Sequence, residues 1–107
     1  MSGQEKDASP KDLEKELVEK VEHYKALTQN ALQKVSVCAK KDTKEHTVAM
    51  DYLTMANNYF NDAIHFQSEG KLLLSLAAFS YAHAWLDAGV RAGLFDGKND
   101  DQLFTLP

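Results

Sequence analysis

Ser80, His83 and Asp87 stand three and four residues apart, a spacing that sets a hydroxyl, an imidazole and a carboxylate on one strip of a helix. The residue types are those of a serine hydrolase: nucleophile, general base and orienting acid. A single helix defeats that chemistry. Side chains on one strip leave it in near-parallel directions, whereas the serine needs its base in line and the base needs its third group on the far side. No Gly-x-Ser-x-Gly elbow accompanies them. Pairing of His83 with Asp87, and of Asp87 with Arg91, one helical turn apart explains the spacing without catalysis.

Asp62-x-x-His65 matches the carboxylate–histidine element of four-helix di-metal proteins, which repeat it on a second helix and add further glutamates. No second copy exists here; the third helix offers only His83 and Asp87, at a spacing of four. The run Asp96-Gly97-Lys98-Asn99-Asp100-Asp101 holds carboxylates but lacks the spaced ligands and closing glutamate of a calcium loop. Some helical RNA-cleaving bundles place a histidine shortly after an arginine; none follows Arg91. Glycine-rich phosphate loops are absent as well. The residues therefore point to no catalytic set, no metal site and no cofactor.

A more suggestive set is Tyr59, Asp62, Tyr81, His83 and Asp87. Reflecting the chain about Gly70 places Tyr59 level with Tyr81, and Asn58 close to His83. Phenol, imidazole and carboxylate groups can then meet between the second and third helices. Two uses fit: a polar network that fixes helix register, or a site for a small ligand or partner. Trp85 is expected as a core anchor opposite Met55.

Three helices must position these groups. Ser9-Pro10 reads as an N-cap followed by proline at the first helical position. Leu17, Val21, Tyr24, Thr28, Ala31, Val35 and Cys38 then alternate steps of four and three, an apolar stripe that predicts helix 1 over about residues 10–39. Asp42-Thr43 with Glu45 resembles a capping box and predicts helix 2 over about 43–69, with a spine of Ala49, Tyr52, Ala56, Tyr59, Ala63 and Phe66. The stripe runs through Asp42 and Glu45 without a skip, which also permits one continuous helix. The charges and the cap favour a break. Gly70 and Gly93 are left-handed stop signals, so helix 3 spans about 71–92. Residues 1–9 read as a disordered tail, and the fold class is an all-α, up-and-down three-helix bundle formed by residues 10–107, with a short C-terminal tail.

A chain of 107 residues holds one domain with one core. The single cysteine, Cys38, has no partner within the chain, which fits a reducing cytoplasm. The polar first twelve residues carry no apolar run, so no secretory signal is expected. Leu72–Val90 is apolar enough to raise the question of a membrane span. Asp87 and His83 within it favour a buried helix of a bundle, because a charge near mid-bilayer costs at least ~2.5 kcal/mol. Net charge is −4, and residues 46–107 hold seven acids against three bases. Nucleic-acid binding normally needs a basic stripe. Lys40, Lys41 and Lys44 form the only local cluster, and lysines at a helix end complement its dipole.

The segment from Tyr59 to Phe95, about a third of the chain, resembles the archaeal domain of unknown function family number 357. The match rests on Tyr59-Phe60-Asn61-Asp62-Ala63, the Glu69-Gly70 turn, Tyr81-Ala82-His83 and Trp85-Leu86-Asp87-Ala88. The resemblance implies a three-helix bundle in an archaeal cytosol and no assigned activity. A looser similarity, to tetratricopeptide-type or microtubule-interacting helical hairpins, shares the aromatic–alanine pattern around Glu69-Gly70-Lys71. No repeat near their period is visible.

The functional expectation is a non-catalytic interaction module that forms a homo-oligomer or docks a protein partner, without nucleic acid or membrane. Helix 3 carries two apolar stripes, Leu72/Leu76/Phe79/Leu86/Val90 and Leu74/Ala78/Tyr81/Trp85/Ala88, expected to face helices 1 and 2. Leu73 and Ala77 fall on a third side. A partner could cover them, together with Leu103 and Phe104, or the tail could fold back as a lid within one chain. The alternative is a small-molecule or metal-binding protein using the Tyr59/Asp62/Tyr81/His83 cluster.

Overall fold

The structure, a computed structural model, describes residues 9–106. The tail expected over residues 1–9 lies outside the described residues except for Ser9. The elements run α1 (Pro10–Lys34), β1 (Ser36–Val37), α2 (Lys44–Ser68), α3 (Leu72–Arg91) and β2 (Phe95–Asp96). The protein is a three-helix bundle with one two-residue antiparallel ladder.

The caps explain the helix limits. Ser9 Oγ accepts the Asp12 amide at 3.1 Å ahead of Pro10, and Thr43 Oγ1 accepts the His46 amide at 3.1 Å. Thr43, not Asp42, is therefore the cap of α2, and Asp42 turns the chain into it with φ 66°. Gly70 and Gly93 take φ 75° and 78°, the left-handed conformation their positions require. The expected extension of helix 1 to residue 39 is not seen. Val35 leaves the helix at ψ 146°, and Val35-Ser36-Val37 are poor helix formers. Their alternative is a ladder: Ser36 pairs with Asp96 and Val37 with Phe95, and the Cys38 amide donates to Leu94 O at 2.9 Å. The stripe positions Val35 and Cys38 thus belong to an extended connection, and the break before α2 is real.

α3 is the central element, packed on both neighbours. Its contacts climb α1 in step, from Leu17 beside Leu73 and Leu76 to Thr28 beside Phe79 and His83, so α1 and α3 run parallel with α2 opposed. The approach of α2 to α3 is close because the facing residues are small: Ala49, Ala56 and Ala63 on one helix, Ala78 and Ala82 on the other, all buried. Two buried hydroxyls bond carbonyls of the neighbouring helix, Ser75 Oγ to Ala63 O at 2.8 Å and Thr28 Oγ1 to Phe79 O at 3.4 Å. Such pairing offsets the cost of burying a polar group.

The apolar residues form two clusters. One gathers Val21, Ala63, Ala78 and Phe79. The other joins Ala31, Ala49, Ala56, Leu86 and Val90 to Phe95 and Phe104, which lie beyond the last helix. The second stripe of α3 departs from expectation. Leu74 and Tyr81 are 52% and 60% exposed, because α2 engages α3 through the alanines and leaves the outer edge of that stripe bare. Trp85 meets the Tyr52 ring edge-on, centroids 4.9 Å apart, and packs against the second cluster half-buried.

Candidate functional site

Residues 97–106, after β2, form a strap that returns across α1 and α3. Lys98 and Asn99 both take φ 59°, a conformation uncommon outside glycine, and the amide of Lys98 donates to Asp96 Oδ1 at 2.8 Å. Asp100 then caps a single helical turn: its Oδ1 accepts the amides of Gln102 and Leu103 at 3.0 and 3.1 Å. Its Oδ2 meets Lys34 Nζ at 2.8 Å, tying the strap to the end of α1. The carboxylates of the 96–101 run thus build turns, and among the described residues no three His, Cys, Asp or Glu side chains gather as a metal site.

The strip His83, Asp87, Arg91 holds the rest of the strap by its main chain. Nε2 of His83 lies 2.6 Å from Leu103 O; since a carbonyl can only accept, Nε2 carries the proton and donates. Asp87 Oδ1 accepts the Thr105 amide at 2.9 Å, and an Arg91 Nη donates to Leu106 O at 2.9 Å. On its other side His83 Nδ1 is 3.3 Å from Thr28 Oγ1, which links the strap through α3 to α1. Between these bonds the Phe104 side chain is 3% exposed. It faces the His83 ring at a centroid distance of 6.4 Å and lies over Gly97, where an added Cβ would come within 2.9 Å of it.

These positions redraw the expected site. Tyr59 and Tyr81 do meet, stacked with centroids 5.3 Å apart, and share a shallow recess with Asp62. His83 and Asp87 are not part of it, because they point toward α1 and the strap. The five residues form two separate groups. Asp87 was expected to bond Arg91, His83 or a tyrosine; its hydrogen bond goes to the Thr105 backbone, with His83 Nε2 at 4.0 Å. Leu103 and Phe104, offered to an interface, fill the chain's own core instead. Ser80 donates to Leu76 O within its helix at 3.0 Å, so the triad spacing holds no relay. Gly89 escaped notice in the sequence. A glycine in the interior of a helix signals close approach, and a Cβ there would collide with the Phe95 ring.

Two expected results follow from the strap. Asp87→Ala should cost about 1 kcal/mol, since Thr105 is exposed and water can replace the lost acceptor; a chemical-denaturation midpoint equal to the parent's rejects the role. The second concerns acid. The Lys34 ammonium, aided by the Leu103 and Gln102 amides, holds the Asp100 carboxyl below its ordinary value near 3.8. A carboxyl depressed in the folded state stabilises fully above its unfolded value and loses that contribution as pH falls through the folded one. The unfolding midpoint should therefore drop below about pH 4, and Asp100→Asn should flatten the drop. A profile unchanged by the substitution refutes the linkage.

Fold and site together define a small three-helix bundle whose C-terminal strap is clasped by its own central helix. The chain matches, over residues 23–95, the family described as Protein of unknown function (DUF357), and it belongs to that family. No match was found among curated proteins or solved structures.

Proposed function

We propose that the protein is a non-catalytic helical interaction module that self-associates or docks a partner helix through an apolar strip where the N-terminal halves of α1 and α3 lie side by side. One observation carries the reading: Leu73 is 73% exposed and Leu13 54%, and they flank a groove of about 520 Å³ whose floor is Leu17 and Leu76. Leu74, Ala77 and Tyr81 continue the apolar surface along α3. Contiguous exposed apolar surface of this kind usually marks an interface. Glu14, Glu16 and Lys20 at the rim supply the polar border that interfaces carry.

The strap does not reach this end of the bundle, because its bonds to α3 begin at His83. The alternative ligand site of Tyr59, Asp62, Tyr81 and His83 has less support, since His83 faces elsewhere. Among the described residues no helix is long and apolar enough to cross a membrane. The setting we infer is an archaeal cytoplasm, supported by the lone, exposed Cys38 and the family resemblance.

Light scattering with an apolar-surface dye tests the module. The full chain should associate or bind the dye, and a Leu13→Glu/Leu73→Glu variant should be monomeric and dye-silent. A monomeric parent that binds no dye ends this reading.

A further inference from the structure

The strap is held in an unusual way for a segment that only covers a core. Apolar burial alone would need Leu103, Phe104 and Leu106. Instead three side chains spaced one turn apart on α3 each bond a main-chain atom of the strap: His83 to Leu103 O, Asp87 to the Thr105 amide, Arg91 to Leu106 O. Peptide recognition divides its labour in this way, with main-chain bonds giving affinity and a side-chain pocket giving choice. The choice here lies in the Phe104 seat, bounded by the His83 ring and the bare backbone of Gly97. Lys34 adds preference for an acid ahead of the phenylalanine, as Asp100 shows.

We propose that the crevice where α1 and α3 meet the strap is a peptide-binding site, and that its external ligand is a partner segment of the form Leu-Phe-x-Leu, preceded by an acidic residue that caps the same single turn. The chain's own residues 100–106 occupy it in cis and gate it. Any such segment brings the same carbonyls and amide to His83, Asp87 and Arg91, so it can replace the strap bond for bond. Opening costs little backbone strain, because Lys98 and Asn99 leave left-handed conformations that are unfavourable for non-glycine residues. The cis segment competes at an effective concentration on the order of millimolar, which keeps the site closed to weak ligands. This face is distinct from the apolar strip at the other end of α3, so either reading can fail without the other.

The test uses the full chain and a fluorescent peptide, Asp-Asp-Gln-Leu-Phe-Thr-Leu, followed by anisotropy. Phe104→Ala, which empties the seat, and Thr105→Pro, which removes the amide that Asp87 holds, should each bind the peptide at least about ten-fold more tightly than the parent chain. A peptide with alanine for phenylalanine should lose that binding, and Asp87→Ala added to Phe104→Ala should weaken it about ten-fold, as loss of one charge-assisted bond does. Variants that stay helical yet do not distinguish the two peptides overturn the proposal. If the variants unfold, excess peptide should restore their helicity, and failure to do so also overturns it. Dimers of the parent chain that the free peptide dissolves would make a second copy the occupant, and the separate partner segment would fall.

Discussion

Gly89→Ala should destabilise the protein by about 2 kcal/mol, although alanine is the better helix former. In an unobstructed helix interior the substitution would gain about 1 kcal/mol. Here the new methyl would fall within the Phe95 ring, and that ring is 2% exposed with little room to retreat. Overpacking of this kind costs about 1–3 kcal/mol, more where backbone must shift. Phe95 is also paired with Val37, so moving it strains the β1–β2 ladder. Because clash and ring share one space, the effects should be non-additive: Phe95→Leu combined with Gly89→Ala should recover part of the loss. Urea denaturation decides the matter, and a midpoint at or above the parent's would show that α3 and β2 are not this close.

Phe79→Ala should have a larger effect, about 3–5 kcal/mol. Phe79 is fully buried, meets the Phe60 ring at a centroid distance of 5.3 Å, and joins Val21 of α1 to Ala63 of α2. Its carbonyl accepts the Thr28 hydroxyl, so slack in α3 there would loosen a buried polar contact as well. Against a total of about 5–15 kcal/mol for a domain, the variant should be marginal. A loss under about 1.5 kcal/mol, at an unchanged denaturant slope, would mean that the three helices do not converge on this ring.

The helices were legible because their signals are local. Ser9-Pro10, the spine Ala49/Ala56/Ala63 and the two left-handed glycines each act within a turn or two, and reflection about Gly70 placed Tyr59 on Tyr81 correctly. Where helix 1 ends was not legible. Its stripe continues in sequence; Val35-Ser36-Val37 only weaken the helix locally, and what fixes the stop is the pairing of Ser36 with the distant Asp96, which no local pattern encodes. The candidate site failed for the same reason. Tyr59, Asp62, Tyr81, His83 and Asp87 lie near one another along two helices, but His83 and Asp87 answer to main-chain atoms of the strap. Main-chain atoms carry no signature in a sequence.

The ladder joining Ser36–Val37 to Phe95–Asp96 also bears on how the protein is made. A helical bundle ordinarily closes through near neighbours, so much of it can form while the chain is still emerging from the ribosome. This one cannot. Its central helix follows both of the helices it joins, and the connection after α1 finds its partner only once residue 96 is out. A ribosome-bound chain arrested while α3 is still inside the exit tunnel should therefore hold α1 and α2 without their common neighbour, open to chaperones and proteases.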